Sequence, residues 1–230
     1  MLLLCDHASN TVPEGVDLGV DARLLDLHIA LDIGAGALTE ALAGMLDAPA
    51  VIGTVSRLVI DLNRAPEQAG LVPLASDGHA IPGNVAADIP DRLTRFHAPY
   101  HAAIEAAIEA GQPVLIAAIH SFTPALEQGG PPRPWEIGIL SNTDRRAAEP
   151  ALALFADAGV IVGDNEPYSG RTLNATLDRH GEGRGIASLS IEVRNDLIDT
   201  SAGVAKWAAI IAPILTALRN GLAPEPPPAT

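Results

Sequence analysis

Short apolar segments alternate with helical patterns along this chain, and that alternation restricts the fold more than any other feature of the sequence. The apolar segments predict strands at residues 1–5, 50–54, 57–62, 113–119, 136–140, 160–163 and 186–193. Helical patterns occupy residues 23–47, with a break near Gly34 and Gly36, and residues 91–110, 144–158, 171–180 and 196–219. Short strands that alternate with helices are typical of a mainly parallel sheet covered by helices on both faces. We therefore predict an α/β fold.

The length of 230 residues fits one domain, and 48% of the residues are hydrophobic, so the chain can bury a substantial core. No internal repeat or linker divides the sequence. We predict a single domain over residues 1–220. The proline-rich segment 221–230, "GLAPEPPPAT", predicts a disordered tail.

Charge and composition exclude several classes of function. The net charge of −14 argues against binding to nucleic acid or to anionic membranes. No apolar run approaches the roughly 20 residues that span a bilayer. The N-terminal "MLLLC" is too short for a signal peptide and lacks preceding basic residues, so we predict a cytoplasmic protein. The single cysteine, Cys5, excludes an internal disulfide and an all-cysteine metal site.

Three predicted strands end in polar residues instead of turn residues. His7 follows the first strand, His120 ends "VLIAAIH", and Glu192 lies near the end of "IASLSIEVR". In open α/β sheets, ligands bind beyond the carboxyl ends of the strands. Each residue alone fits an ordinary structural role, but three residues at equivalent positions predict one shared site.

Two imidazoles and a carboxylate are ligands that suit zinc, with water in the open position. The segment "LHIALDIGA" offers a third ligand, because His28 and Asp32 are four residues apart and share one face of the predicted helix. This pair also fits a local hydrogen bond on the helix surface. Asn10 and Glu14, in the loop after the first strand, are weaker candidates.

Glu192 is the candidate general base, since a carboxylate near a zinc-bound water can take its proton and pass it to a leaving amine. In the alternative assignment, Glu192 is a metal ligand and Asp32 is structural, and the sequence leaves both open. Tyr168, in "GDNEPYSGR", either donates a hydrogen bond to a developing oxyanion or holds its loop. The sequence contains no phosphate-binding loop and no G-x-S-x-G motif.

Arginines near the same strand ends predict a binding site for carboxylates, because a guanidinium binds a carboxylate through two parallel hydrogen bonds. The segment "SRLVIDLNR" places Arg57 before a predicted strand and Asn63 and Arg64 just after it. Arg133 lies in a long loop, and Arg194 lies two residues beyond the candidate base, on the same face of the strand. Each arginine alone also fits an ion pair with one of the 28 acidic residues.

Nine short motifs follow one another along the chain: "DHASN-VP", "HIALDIGA", "SRLVIDLNR", "IPGN", "PYH", "IHSFTP", "RPWEIGIL", "GDNEPYS" and "IEVRNDLI". In this order, from about residue 5 to residue 207, they closely resemble the N-formylglutamate amidohydrolase family. The resemblance implies a fold related to zinc-dependent exopeptidases and to N-acetylmuramoyl-L-alanine amidases.

The resemblance also implies roles for single residues. Matched by motif, the ligands of one zinc ion per chain are His7, Asp32 and His120, and the catalytic residue is Glu192. The "DLNR" segment is similar to the substrate-carboxylate motif of aspartoacylase-like enzymes. Those enzymes have a glutamate three residues after the first histidine, where this chain has Asn10. That departure favours a ligand from the predicted helix over one from the loop.

The implied reaction is hydrolysis of N-formyl-L-glutamate, a small dicarboxylate N-acyl amino acid, to formate and glutamate, a last step in one route of histidine degradation. Arg57, Arg64, Arg133 and Arg194 are then the candidates that hold the two carboxylates. One rival reading is hydrolysis of another N-acyl amino acid or of a peptidoglycan-like amide, with a pocket shaped by the long loop 64–90. A second rival is a protein that binds its ligand in the same cleft without turnover.

Overall fold

A sheet of six strands forms the centre of the fold in the computed structural model, which describes residues 1–223. In chain order the strands are β1 (Leu2–Cys5), β2 (Ala50–Ile52), β3 (Ala75–Ser76), β4 (His79–Ala80), β5 (Leu115–Phe122), β6 (Ile137–Leu140), β7 (Val162–Asp164) and β8 (Ala187–Arg194). The short β3 and β4 form a separate antiparallel hairpin, and the other six lie in the order β2-β1-β5-β8-β6-β7. All neighbours in this sheet are parallel except β8 and β6. The predicted mainly parallel α/β fold is confirmed.

Helices cover both faces of the sheet, as predicted. They are α1 (Ala35–Leu46), α2 (Ile89–Arg92), α3 (Ala98–Gly111), α4 (Ala148–Asp157), α5 (Ala175–His180) and α6 (Ser201–Leu222). A π-helical turn over Leu93–His97 joins α2 to α3. Short 3-10 segments lie at Ala22–Asp26, Pro82–Asn84, Glu182–Arg184 and Asn195–Leu197. One core contains residues of α1, α4 and α6, and the core on the opposite face contains residues of α3 and α5.

The central strand β5 illustrates why a continuous apolar run forms a strand here. Leu115, Ala117 and Ile119 belong to one core, and Ile116 and Ala118 belong to the other, because successive side chains of a strand alternate between its two faces. β1 and β8 flank β5, and the strand is buried along its whole length. Such a strand lacks the apolar-polar alternation of a half-exposed one.

The predicted strand at residues 57–62 is wrong. This segment forms turns, and the amide of Arg57 donates to the carbonyl of Ala30 instead of to a neighbouring strand. Its apolar side chains, including Leu58 and Ile60, are fully buried in the same core as α3. A short apolar run indicates burial, and burial alone does not distinguish a strand from a buried loop.

The predicted helix at residues 23–47 is interrupted. Its first part is a 3-10 segment followed by turns, and α1 begins only after Gly34. Gly34 has a φ of +78°, in the left-handed region that favours glycine. A β-carbon at this position would collide with the carbonyl oxygen of Ile198. His28 and Asp32 therefore do not share a helical face, and Asp32 lies in the irregular segment before α1.

The last two predicted helices have shifted bounds. The helix predicted at residues 171–180 is the shorter α5, and the helix predicted at residues 196–219 is α6, which starts and ends later than expected. α6 therefore includes the first two residues of the predicted tail. Residues 224–230 of that tail lie outside the part of the chain that the structure describes.

α6 is long and apolar enough, by length and composition alone, to cross a membrane, since its most apolar 18-residue window has a mean hydropathy of 1.5. The expectation that no such run exists is therefore wrong for this helix. In the fold, Trp207, Ile211 and Leu215 of α6 are buried in the core, and the helix packs against α1 and α4. One apolar face of α6 therefore packs on the core, and 39% of that window is buried in the fold.

Candidate metal and catalytic site

A cavity of about 710 Å³ lies at the carboxyl ends of β1, β5 and β8. Most of the residues predicted for the site line it, namely His7, Asp32, Arg57, Asn63, Arg64, His120, Tyr168 and Glu192. Arg133 and Arg194 do not line it. The strand ends therefore bring their polar residues to one edge of the sheet, as expected for an open α/β fold.

His7, Asp32 and His120 form a buried cluster in which each residue can offer one ligand atom to a metal ion. The three ligand atoms lie within 4.8 Å of one another. Oδ2 of Asp32 is 2.8 Å from Nδ1 of His120 and 3.4 Å from Nδ1 of His7. Two ring nitrogens thus approach one carboxylate oxygen, and this donor set suits zinc with an open fourth position.

Backbone contacts hold Asp32 in this cluster. Its amide donates to the carbonyl of His7 at 2.9 Å, and the amide of Ser121 approaches its Oδ2 at 3.4 Å. His28, the alternative third ligand, lines the cavity but pairs with Asp77 at 3.0 Å. The two weaker candidates do not line the cavity; they are Asn10 and Glu14.

A carboxylate lies behind each histidine of the cluster. Nε2 of His7 is 2.6 Å from Oδ1 of Asp61, and Nε2 of His120 is 3.1 Å from Oδ2 of Asp6. Thr176 donates its hydroxyl to the other oxygen of Asp6 at 2.7 Å. Metal-binding histidines commonly donate their second ring nitrogen to a carboxylate, which fixes the tautomer and orients the ring. Neither aspartate was predicted for this role, although Asp6 directly precedes His7 and Asp61 begins the "DLNR" segment.

Arg57 bridges the carboxylate of Asp32, in the cluster, and the carboxylate of Asp61, behind His7. Its guanidinium donates to Oδ1 of Asp32 and to Oδ2 of Asp61, both at 3.0 Å. Burial alone lowers the pKa of Arg57, but the two carboxylates outweigh burial and raise the pKa above its usual value. Arg57 was predicted to bind substrate, and in the structure both arms of its guanidinium engage carboxylates of the protein.

The cluster favours a positive charge between its rings. Burial alone lowers the pKa of His120, but the carboxylates of Asp32 and Asp6 outweigh burial and raise it well above its usual value. Burial alone raises the pKa of Asp32, yet His7 and His120 hold it well below its usual range. Carboxylates buried this deeply require a cationic partner, and a divalent metal ion is such a partner.

Glu192 lies beside the cluster, because β8 pairs with β5 in a register that places this residue opposite His120. The side chain is buried, and no group among residues 1–223 hydrogen-bonds to its Oε2. Burial raises the pKa of Glu192 to about 7, with a contribution from Asp32 and opposition from His120. A carboxylate with a pKa near neutrality can both accept and release a proton at physiological pH.

The predicted substrate-binding residues other than Arg57 separate into two groups. Arg64, Asn63 and Tyr168 line the cavity. Arg133 lies behind Tyr168, donates to its phenol oxygen at 3.1 Å, and has its guanidinium carbon 5.0 Å from the ring centroid. Arg194 forms an ion pair with Asp196 at 2.8 Å and does not line the cavity. Arg194 is the last residue of β8, and its guanidinium lies against Asp196 and the carbonyl of Trp135.

Two solved structures share this fold. A crystal structure of a gene product from Agrobacterium tumefaciens matches 96% of this chain and 90% of its own, with a TM-score of 0.90 and 34% sequence identity. The crystal structure of N-formylglutamate amidohydrolase from Ralstonia eutropha JMP134 matches 96% of this chain and 93% of its own. Its TM-score is 0.66 and its identity is 21%, so this likeness concerns the fold alone. A search of curated proteins found no match.

The comparison with protein families covers nearly the whole domain. A model of the N-formylglutamate amidohydrolase family matches residues 1–199. This range includes the candidate metal cluster, Asp6 and Asp61 behind its histidines, Glu192 and the residues that line the cavity. The resemblance predicted from the short motifs is confirmed, and the chain belongs to the N-formylglutamate amidohydrolase family.

Proposed function

We propose that this protein is a metal-dependent amidohydrolase that cleaves N-formyl-L-glutamate to formate and glutamate. The observation that carries the proposal is the close approach of the ligand atoms of His7, Asp32 and His120 beside Glu192, whose Oε2 has no hydrogen-bond partner among residues 1–223. Family membership supports the reaction, and the name of the Ralstonia eutropha protein supports the substrate. The proposed setting is the cytoplasm, at a last step of histidine degradation.

Zinc, one ion per chain, is the proposed metal. His7 and His120 would hold it through Nδ1 and Asp32 through a carboxylate oxygen, and two imidazoles with one carboxylate are a ligand set that zinc uses in catalytic sites. The carboxylates behind the rings support this assignment, since a ring whose Nε2 donates to a carboxylate, as His7 does to Asp61, can present Nδ1 to a metal ion. Oδ2 of Asp6 lies 3.1 Å from Nε2 of His120. When bound, zinc polarises a carbonyl and lowers the pKa of a coordinated water to about 7.

Glu192 is the proposed general base. Its carboxylate takes a proton from the attacking water and then delivers that proton to the nitrogen of the leaving amino acid. The pKa of about 7 fits both steps, because the same group must be a base in the first and an acid in the second. The alternative in which Glu192 is the third metal ligand is disfavoured, since Asp32 already supplies a carboxylate oxygen between the two rings.

Arg64 and Asn63 are proposed to hold one carboxylate of the substrate. Oδ1 of Asn63 accepts a hydrogen bond from the amide of Thr176, which leaves the side-chain NH2 group available as a donor. Tyr168 is proposed to reach the second carboxylate, with Arg133 adding positive charge behind its hydroxyl. Arg57 and Arg194 are left out of this proposal because acidic residues of the protein hydrogen-bond to both of them, whereas Nε of Arg64 is 3.8 Å from Asp61, beyond hydrogen-bond distance.

Replacement of Arg64 by methionine is expected to lower kcat/KM for N-formyl-L-glutamate by roughly 30-fold, or about 2 kcal/mol. The loss should appear mainly in KM, because a group that binds a carboxylate away from the reacting bond stabilises ground and transition states alike. Steady-state kinetics of formate release measures both constants. The exposed Arg23, replaced by methionine, is the matched control. An unchanged KM would exclude Arg64 from the substrate site.

The cavity also has room for a larger substrate of the same chemical class. A volume of about 710 Å³ falls within the range of roughly 300–1,000 Å³ seen for drug-sized ligands. Another N-acyl amino acid, or a peptidoglycan-like amide, is therefore the second candidate substrate. A binding protein without turnover is disfavoured, because binding alone does not require an unpaired carboxylate with a pKa of about 7 beside the cluster.

The experiment that tests the proposal measures formate release from N-formyl-L-glutamate before chelation, after chelation and after addition of zinc. We expect turnover that disappears with the chelator and returns with zinc. Metal analysis of the same samples separates two negative results. Protein that holds zinc but releases no formate would refute the substrate and leave the site, whereas protein that binds no metal would refute the proposed mechanism.

A further inference from the structure

Three buried histidines lie outside the metal and catalytic site: His97, His101 and His180. Nδ1 of His101 is 2.8 Å from Nε2 of His180, and Nε2 of His101 is 3.1 Å from Nε2 of His97. The rings of His101 and His180 are stacked, with centroids 5.1 Å apart. The three rings therefore form a continuous chain within the core, which we call the histidine chain.

The histidine chain contacts the backbone of the segment 61–64. Nε2 of His101 is 3.1 Å from the carbonyl oxygen of Leu62, and Nε2 of His97 is 2.9 Å from the carbonyl oxygen of Arg64. The segment forms a turn, so these carbonyls are not paired in a helix or in a sheet. Carbonyl groups inside a protein require hydrogen-bond donors. Imidazoles supply them here, and the hydroxyl of Thr176 is a second, longer donor to Leu62 at 3.3 Å.

The same segment sends its side chains to the opposite side, toward the candidate metal site. Asp61 lies behind His7, and Asn63 and Arg64 line the cavity. Oδ1 of Asp61 also accepts a hydrogen bond from the amide of Asn63 at 3.0 Å, and this bond stabilises the turn. The segment thus carries one positioning group for the metal cluster and two proposed substrate contacts, while its carbonyls are held from behind.

The contacts define the protonation of each ring. A carbonyl oxygen only accepts, so His97 and His101 must each carry the proton on Nε2. The 3.1 Å contact between these two Nε2 atoms is then a close approach of two donors and not a hydrogen bond. Nδ1 of His101 then has a lone pair, and the neighbouring Nε2 of His180 must donate to it. Burial lowers the pKa of His101 and of His180 to about 4, which agrees with neutral rings. His180 therefore selects the tautomer of His101 that reaches Leu62.

The local sequence explains how one helix presents two of these rings. The amide of Ala98 donates to the carbonyl of Leu93, five residues back, and Pro99 has no amide proton to continue the normal pattern. The result is the π-helical turn that ends at His97. His97 and His101 are four residues apart and lie on the same helical face. π-helical turns occur frequently at functional sites.

We propose that His97 and His101 are positioning residues that hold the segment 61–64 against the candidate site, with His180 fixing the tautomer of His101. The effect on substrate binding rests on the proposed function, through Asn63 and Arg64. The effect on the metal cluster depends only on Asp61 and His7. Loss of the histidine chain should therefore weaken metal binding whatever the substrate is.

The tautomers give a direct test in the unmodified protein. Long-range nitrogen–proton NMR spectra of the imidazole rings at neutral pH distinguish a proton on Nε2 from one on Nδ1. We expect all three rings to be neutral with the proton on Nε2. A proton on Nδ1 of His97 or of His101, or a charged ring, would overturn the proposal. This measurement requires neither substrate nor metal.

A pair of variants at one position tests the consequence. In His101→Met the ring donor is lost, and in His101→Gln an amide N–H remains that can reach the carbonyl of Leu62. We expect His101→Met to bind zinc roughly 10-fold more weakly, as for loss of an outer-shell partner, and to raise KM more than it lowers kcat. His101→Gln should recover most of both losses. His79→Gln, in the separate hairpin, is the control.

The two outcomes of the variant experiment are distinct from those of the activity assay. A His101→Met protein that melts at a lower temperature but keeps its zinc affinity would show a purely structural role, and equal losses in the methionine and glutamine variants would do the same. Either result would overturn the proposal. Absence of formate release in every variant and in the unmodified protein would refute the proposed substrate and leave the zinc measurement as the test.

Discussion

Replacement of Glu192 by glutamine is expected to lower kcat for formate release by about 10²–10⁴-fold, the usual contribution of a general base. Glutamine keeps the size of the side chain and its place opposite His120 on β5, but it cannot take a proton from water. Zinc should remain bound, because the ligand cluster consists of His7, Asp32 and His120. Steady-state assays of formate release measure kcat, and metal analysis of the same sample measures the zinc content.

The control for this variant is Glu109→Gln, which makes the same chemical change on an exposed position of α3. It should leave kcat and metal content unchanged. Two results would contradict the assignment of Glu192. Loss of zinc together with activity would identify Glu192 as a metal ligand, and full activity in Glu192→Gln would exclude it as the base.

Replacement of Arg57 by methionine is expected to lower the free energy of unfolding of the metal-free protein by about 3 kcal/mol, as for one partner removed from a buried ion pair. Arg57 is the shared partner of Asp32 and Asp61, and without it both buried carboxylates lose that positive charge. Urea denaturation with and without zinc measures the effect. Saturating zinc should reduce the difference in unfolding free energy between Arg57→Met and the unmodified protein. A bound divalent cation supplies part of the missing positive charge and stabilises the folded state.

Arg194→Met provides the comparison for Arg57, since Arg194 forms an ion pair with Asp196, which is exposed. Arg194→Met should lower the free energy of unfolding by less than about 1 kcal/mol. If Arg57→Met were as stable as the unmodified protein and instead raised KM, Arg57 would belong to the substrate site, as its sequence position first indicated. A similar cost for both variants would mean that the bridge between the two carboxylates contributes little.

The general position of the site could be predicted from the sequence because it depends on strand ends. His7, His120 and Glu192 each follow or end an apolar run, and the carboxyl ends of parallel strands meet at one edge. This rule needs no knowledge of which strands are neighbours. The fold class followed from the same alternation of short strands and helices.

Contacts between distant segments could not be predicted in this way. Asp6 and Asp61 are ordinary acidic residues in the sequence, and their place behind the two histidines depends on how β1, β5 and the turn after residue 57 pack together. The predicted strand at residues 57–62 failed for the same reason, since burial alone does not specify a backbone conformation. The contacts of the histidine chain could not be predicted either, because His180 lies 79 residues from His101, although His101 belongs to the "PYH" motif.

The four arginines show most clearly that contacts between distant segments cannot be predicted from the sequence. Arg57, Arg64, Arg133 and Arg194 were predicted to act alike because each lies near a strand end or a long loop. The structure separates them by how closely acidic residues hold them: Arg57 and Arg194 hydrogen-bond to aspartates, whereas Arg64 is 3.8 Å from Asp61. Whether a guanidinium is free to bind a ligand depends on the carboxylates around it, and a single sequence does not reveal which carboxylates those are.

β1, β5 and β8 are adjacent, hydrogen-bonded strands, so the spacing among His7, His120 and Glu192 is inherited from the geometry of the sheet. Much of the remaining cavity wall comes instead from two long connecting segments, residues 64–90 with the β3–β4 hairpin and residues 123–136, which contribute Ser76, Asp77, Leu126 and Gln128. The places of these three residues therefore depend on the sheet, whereas the shape of the outer cavity depends on the loops. We expect exchange of either loop between homologous chains to reshape the outer cavity while His7, His120 and Glu192 keep their places at the strand ends, so that different cavity walls can be built on one sheet.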